Sequence, residues 1–389
     1  MQRIECAVRP HWQQLAERLG FHFHTLNNAP YWDESAYYQF KLRQIEQDLE
    51  APTAELHQMC MDLVDGIIQS ESLLRQLQIP EIYWDYVAHS WKHGAPHIYG
   101  RMDFSYSGAG PAKLLELNYD TPTSLYEAAF FQWVWMEDQI RAGVLPADAD
   151  QFNSIQDALL TRFVELAEAP HLKNSPLYFA SVRESIEDKG TTDYLRDIAH
   201  QAGIETRYIA LEDIGWNNEG EFVDLADAPI GNLFKLYPWE FIFHDTFGPF
   251  VPFANTHFFE PAWKCVLSNK GILPLLWQAY PNHPNLLPAQ FMDKFVEPSA
   301  GWVVKPLLSR EGANISLHTQ QGAKESVSGP YTDSSWIRQA CSPLPDFNNN
   351  YALIGSWVIG DEAVGIGVRE DASLITQDSS RFIPHIILD

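Results

Sequence analysis

The sequence predicts a mixed protein of the α+β and α/β classes, built from two or three packed units, on three observations. Its 389 residues exceed one typical domain and, at 46% hydrophobic and 13% aromatic content, suffice for a large core. Apolar spacing of three and four near the start gives way to period-two runs around residue 100. Between residues 171 and 260, strand-like and helix-like segments alternate as they do in a parallel α/β layer.

In chain order, residues Arg9 to Leu77 read as helices, because Leu15 and Leu19, then Tyr38, Leu42, Ile45 and Leu49, recur at three and four. Pro52 and Pro80 punctuate them. From Ile98, HIYGRMDFSYS alternates with period two, Gly108-Ala109-Gly110-Pro111 supplies a turn, and AKLLELNYD resumes extended character: a β-hairpin. Helices are expected at 130–140 and 155–166. Strand SPLYFASV, helix TTDYLRDIAHQAG closed by Gly203, and strands IETRYIAL and PIGNLFKLYPWE follow. A helix at 262–277, strands GWVVKP, ANISLH and SSWIRQA, and a two-stranded meander from Tyr351 to Arg369 complete the order. The division expected is 1–97 (helical), 98–170 (hairpin and helices), 171–260 (α/β layer), 261–345 and 346–389.

Composition narrows the partners. With 26 Lys+Arg against 51 Asp+Glu the net charge is −25, the wrong sign for nucleic acid, whose phosphates need basic neutralisation. No run approaches the ~18 apolar residues of a membrane span. Four scattered cysteines without a CxxC pair, and Glu5 in the opening stretch, lead to the expectation of a cytoplasmic protein. None of GxxxxGK[ST], GxGxxG, HExxH or GxSxG occurs. His89, His93 and His97 are spaced by four, but Gly94 and Pro96 should end any helix before the third, so no three-histidine metal face is expected.

Two constellations remain. Residues two apart on a strand share a face, so Arg101, Asp103 and Ser105 point one way, as do Glu116, Asn118 and Asp120 on the partner strand. Folded together they make a cluster of carboxylates, an amide and a guanidinium, suited to Mg²⁺ and phosphate. A solvated face with cross-strand ion pairs is the alternative, although Leu114, Leu115 and Leu117 imply a half-buried sheet where unpaired carboxylates are costly. In GWVVKPLLSREGANI, Lys305 ends an apolar strand before a small-residue turn whose backbone NH groups suit phosphate. An edge-strand lysine beside an ordinary turn fits the same pattern.

Through RMDFSYSGAGPAKLLELNYDTPTSLYEAA, FKLYPWE, FFEPAWKCVLSNKGILPLLWQAYPNHPNLL, GWVVKPLLSREGANI and IGSWVIGDEAVGIGVREDASLITQDSSRFIPHIIL, the chain resembles the glutathionylspermidine synthase family of ATP-grasp carboxylate–amine ligases, from about His11 to Asp389. The resemblance implies an ATP-grasp fold with a preceding α/β (pre-ATP-grasp) layer and a helical N-terminal segment. Residues 261–345 would then be the lid and 346–389 the terminal strands. ATP and Mg²⁺ are the implied cofactors. The family's R-x-D and E-x-N strands assign Asp103, Glu116 and Asn118 to metal and Arg101 to phosphate, with Arg369 near an acyl phosphate. Lys270 and Lys305 would hold nucleotide phosphates, Glu311 and Gly312 would cover them, and Gln339 would lie by the adenine, with Leu374 completing that site. Thr121 and Thr123 would stand near a thiol-peptide substrate.

The substrate half matches less closely. The amidase domain of bifunctional members has no counterpart, and Glu184, Glu187 and Asp188 are candidates for an acidic amine site. Asp120 or Glu127 would accept the amine's proton. The implied partners are a small carboxylate and an amine, glutathione and a polyamine leading. A nucleotide-binding module without ligase activity, or a small-molecule kinase or ATPase, is the alternative, and oligomeric state stays open.

Overall fold

The computed structural model describes residues 1–26, 28–332 and 334–389. Its centre is the expected hairpin. Strands Tyr99–Ser105 and Lys113–Asn118 pair antiparallel and continue through Tyr351–Ile359 and Glu362–Asp371 to Arg381–Ile383 in one five-stranded sheet. The hairpin and the terminal strands, far apart in sequence, therefore form a single surface. Strand Tyr99–Ser105 is buried at every position. Met102 and Phe104 join the core that also holds Leu56, Cys60 and Val64 of helix Ala51–Ile68.

Three strands of the α/β layer are those the alternation predicts, and His257–Phe259 adds a fourth that it does not. Four parallel strands run in the order His257–Phe259, Asn232–Lys235, Leu177–Ser181, Thr206–Ala210. Helix Ile186–Gln201 makes the crossover between the last two, with Ser185 Oγ capping it by accepting from Asp188 N at 3.1 Å.

A second five-stranded antiparallel sheet holds Trp302–Pro306, Ser316–His318 and Trp336–Ala340, plus two short edge strands the sequence did not announce, Ala289–Met292 and Lys324–Ser326. The single helix expected at 262–277 breaks instead into Lys264–Leu267 and Ile272–Ala279. At the break, Asn269 donates to Leu77 O and accepts from Gly271 N, which sets Lys270 on an inward-facing turn.

The N-terminal reading needs correction. Tyr38 does not continue a helical series: it lies in strand Ala36–Phe40, which pairs antiparallel with Gln2–Glu5 and parallel with His385–Ile387. Ala36, Tyr38 and Phe40 are buried while Tyr37 and Gln39 are partly exposed, a period-two pattern fitted to a partner at the far end of the chain. Among the described residues, no helix is long and apolar enough to cross a membrane.

Candidate functional site

The hairpin register sets Arg101 opposite Asn118 and Asp103 opposite Glu116. Arg101 grips Asp103 with two parallel bonds, Nε to Oδ1 at 2.6 Å and Nη2 to Oδ2 at 2.9 Å. Asn118 Nδ2 donates to Asp103 Oδ2 at 3.0 Å and to Glu116 Oε1 at 3.2 Å. The register shifts between Asp103 and Phe104, which leaves Leu115 without a ladder partner. Its carbonyl is taken by Lys305 Nζ at 2.9 Å, and Lys305 also donates to Gln339 Oε1 at 2.9 Å. The second sheet thus lays its lysine directly on the hairpin's irregularity.

Two members of the expected cluster are elsewhere. Ser105 Oγ donates to Pro343 O. Asp120 is fully buried, its oxygens held by Lys235 Nζ at 2.5 Å and by Trp239 N at 2.7 Å, so it is closed to a substrate proton. The strand ends at Asn118, so alternation no longer governs the next side chains. Of the three spaced histidines, His89 stacks on His93 while His97 meets Asp361, so they do not converge.

Electrostatics set the remaining groups. Burial pushes the Glu116 carboxyl up, but Lys270, Lys305, Asn118 and Arg101 outweigh it and bring it down to about 2. Burial lowers the Lys305 ammonium to about 8 despite the opposing pull of Glu116, with Lys270 adding to the fall.

Three adjoining clefts divide the site. The first, about 700 Å³ including its open mouth, is largely apolar, with Val303, Ile315, Leu353 and Leu374 on its walls and Lys305 and Gln339 at its end. It meets, at Asp103 and Glu116, a polar cleft of about 590 Å³ bearing Arg101, Asn118, Lys270, Glu311, Gly312 and Arg369. Thr121 and Thr123 lie on the rim this shares with a third cleft of about 840 Å³, which runs to Asp188, Tyr237, Phe241 and Tyr331. Arg369 Nη2 donates to the carbonyls of Gln377, Asp378 and Ser380, while its buried Nε has no partner. Gly312 has φ 73°, and a Cβ there would stand 2.7 Å from Thr376 O, so only glycine lets this turn lie against the loop that joins Glu362–Asp371 to Arg381–Ile383.

The acidic candidates separate. Asp188 lines the third cleft, Glu184 is exposed on the surface, and burial with Glu127 nearby pushes Glu187 well up. Glu127 is fully buried with neither oxygen hydrogen-bonded, and it lines none of the three clefts. Sequence reasoning missed Arg310, which lines both the polar and the third cleft, 3.2 Å from Glu240 Oε1 and 2.5 Å from Thr121 Oγ1. Its place beside Glu311 in the SREGAN turn was the available signal.

Two carboxylates and one amide suit a hard cation that keeps waters and shares phosphate oxygens, as Mg²⁺ does. They do not suit a caged metal. Among the described residues no trio of His, Cys, Asp or Glu could hold one.

The chain as a whole sits in a ligase family. It belongs to the family described as glutathionylspermidine synthase preATP-grasp, whose model matches residues 3–388. It is 40% identical over 390 residues to a Haemophilus influenzae protein provisionally described as an acid–amine ligase, covering 97% of each chain. It is 28% identical over 393 residues to the bifunctional glutathionylspermidine synthetase/amidase of Escherichia coli, covering 93% of this chain and 60% of that one. Among solved structures, a glutathione synthetase-like effector from Globodera pallida matches with a TM-score of 0.55 at 10% identity, covering 90% and 89% of the two chains, a likeness of fold.

Proposed function

We propose that this protein is an ATP- and Mg²⁺-dependent carboxylate–amine ligase that forms an amide through an acyl phosphate. The observation that carries the reading is the meeting of an apolar cleft and a cationic one at Asp103 and Glu116, with a third cleft opening from the cationic end. The first fits a nucleotide base, the second its phosphates, and the third the acid and amine. In this reading 261–345 is the lid, 346–389 supplies the terminal strands of the grasp, and 171–260 is the pre-ATP-grasp layer.

Lys305 and Lys270 hold nucleotide phosphates, Gln339 and Leu374 border the base, and the Glu311–Gly312 turn covers the phosphates. Asp103, Glu116 and Asn118 would hold Mg²⁺, which would neutralise charge on the phosphate oxygens. Arg101 and the free Nε of Arg369 face the group in transfer, a step governed mainly by positioning and electrostatic stabilisation. The substrate carboxylate takes the phosphoryl group and ADP leaves. The amine nitrogen then bonds to the acyl carbon, phosphate departs with the electron pair of the broken C–O bond, and the amine's proton passes to that phosphate. Asp120 is engaged elsewhere and Glu127 lines no cleft, so neither is assigned that proton.

The acid is glutathione or another small peptide, near Thr121 and Thr123, and the amine a polyamine or another amine. The named relatives and Asp188 in the third cleft support this pairing. ADP release measured across a matrix of carboxylates and amines, with the product identified by mass, tests it. Amine-dependent release is expected. Amine-independent turnover would indicate a kinase or ATPase, and binding without turnover a nucleotide-binding module.

A further inference from the structure

Asp120 stands between Asn118 and the Thr121–Thr123 rim, yet its carboxylate faces a different layer. Lys235, 1% exposed, and Trp239 both belong to the α/β layer, and the lysine ammonium also lies 4.7 Å from the centroid of the Trp239 ring. The next residues close a second contact. Glu240, beside Trp239, pairs with Arg310, and Arg310 donates to Thr121, beside Asp120. The result is a ring, Asp120, Trp239, Glu240, Arg310 and Thr121, that fastens the hairpin exit, the α/β layer and the turn at 309–314 to one another. Thr121 and Arg310 form the wall between the phosphate cleft and the third cleft.

We propose that Asp120 is a positioning residue which, through this ring, fixes that wall and so decides whether the acyl phosphate meets the amine or water. The proposal rests on the ligase reading above. A buried ion pair is a poor source of stability, because desolvating both ions offsets their attraction. Its service here is geometric: it joins two layers at the point where the reacting groups must meet. If the wall loosens, water replaces the amine. Its oxygen bonds to the acyl carbon, phosphate leaves with the electron pair of the broken bond, and protons pass to solvent and phosphate. The original carboxylate returns, with ADP released and no amide made.

Asp120→Leu alone strands the Lys235 charge, removes the acceptor of Trp239 N and is expected to lower the melting temperature. The paired variant Asp120→Leu/Lys235→Met removes both charges, still leaves Trp239 N without its acceptor and so opens the ring, and is expected to restore most of the melting temperature. A merely structural role predicts that this paired variant also regains the parent's ratio of amide to ADP. Positioning predicts a KM for ATP within about twofold of the parent, amide formation slowed about tenfold or more, and a ratio falling from near one to below about one half. Glu240→Ala, which opens the ring at its partly exposed side and leaves the buried pair intact, is expected to lower the ratio as well. Hydrogen exchange supplies a readout independent of catalysis: amides of Thr121, Thr123 and Ser124 and those at 309–314 should exchange faster in both variants, while those of Leu177–Ser181 keep parent rates. Parent-like ratios and exchange in either variant overturn the proposal. If the parent makes no amide with any substrate pair, the ligase reading falls, and unchanged exchange at the two loops then separately overturns the ring.

Discussion

Lys270 Nζ stands 3.4 Å from Glu116 Oε2, and the same carboxylate lies in the field of Lys305. One glutamate thus offsets two lysines on different elements. Replacing it with Gln removes its share of the pull that keeps Lys305 protonated, so the lysine should titrate below its present value of about 8. Glu116→Gln is expected to fold, to reduce turnover by about a hundredfold or more, and to move the pH profile of nucleotide affinity to lower pH. A folded variant with parental turnover would leave the carboxylate only a structural role.

If Lys305 holds a nucleotide phosphate as proposed, ATP affinity should depend on pH in a definite direction. Burial holds its folded pKa near 8, below the ordinary lysine value, and a bound polyphosphate favours the protonated form. Below pH 8 the free protein already carries that proton, and affinity should be flat. Above it, binding requires proton uptake, so affinity should fall by up to about tenfold per pH unit. Calorimetric titrations at several pH values, and in buffers of different ionisation enthalpy, should show the slope and the uptake. Both should vanish in Lys305→Met.

Lys305→Met also tests the phosphate role directly. The thioether keeps most of the apolar stem, so the melting temperature should change little. Loss of a buried electrostatic donor typically costs about 3–4 kcal/mol in the transition state, roughly a hundredfold to a thousandfold in rate. ADP release within a few-fold of the parent would show that the lysine touches no phosphate.

Nucleotide should bind well only with its metal, because Asp103 and Glu116 line the polar cleft proposed for its phosphates. A ligand at ~100 times its dissociation constant stabilises a fold by ~2.7 kcal/mol. Thermal melts with ATP should therefore shift upward with magnesium and hardly at all without it. Equal shifts would remove the hairpin carboxylates from the metal assignment.

Gly312→Ala should separate nucleotide binding from folding. Its left-handed φ of 73° strains any L side chain, and the new methyl carbon meets Thr376 O at 2.7 Å. The turn must shift away from the loop at Ile375 and Thr376, with which it lines the polar cleft. A rise of about tenfold in the KM for ATP is expected, with the melting temperature lowered by only a few degrees. An unchanged KM would place the turn outside the nucleotide site.

The hairpin face of Arg101, Asp103, Glu116 and Asn118 was legible in the sequence, as was the parallel layer of 171–260, because strand alternation and helix period are local rules. Lys305 was legible only as a position. Whether it was an exposed edge residue or a buried donor depended on the second sheet packing against Leu115 and Gln339. Tyr38 fitted a helical spacing until strand His385–Ile387 arrived beside it from the other end of the chain. Asp120 has the spacing of Glu116 and Asn118, but the strand ends at Asn118 and a lysine 115 residues away claimed its carboxylate. Arg310 was legible only as part of the SREGAN turn, and its bridge to Glu240 and Thr121 exists only once three segments meet. The division has one cause. Backbone conformation answers mainly to chain neighbours, whereas a buried charge must find its partner in whichever layer closes over it, and that partner can lie anywhere in the sequence.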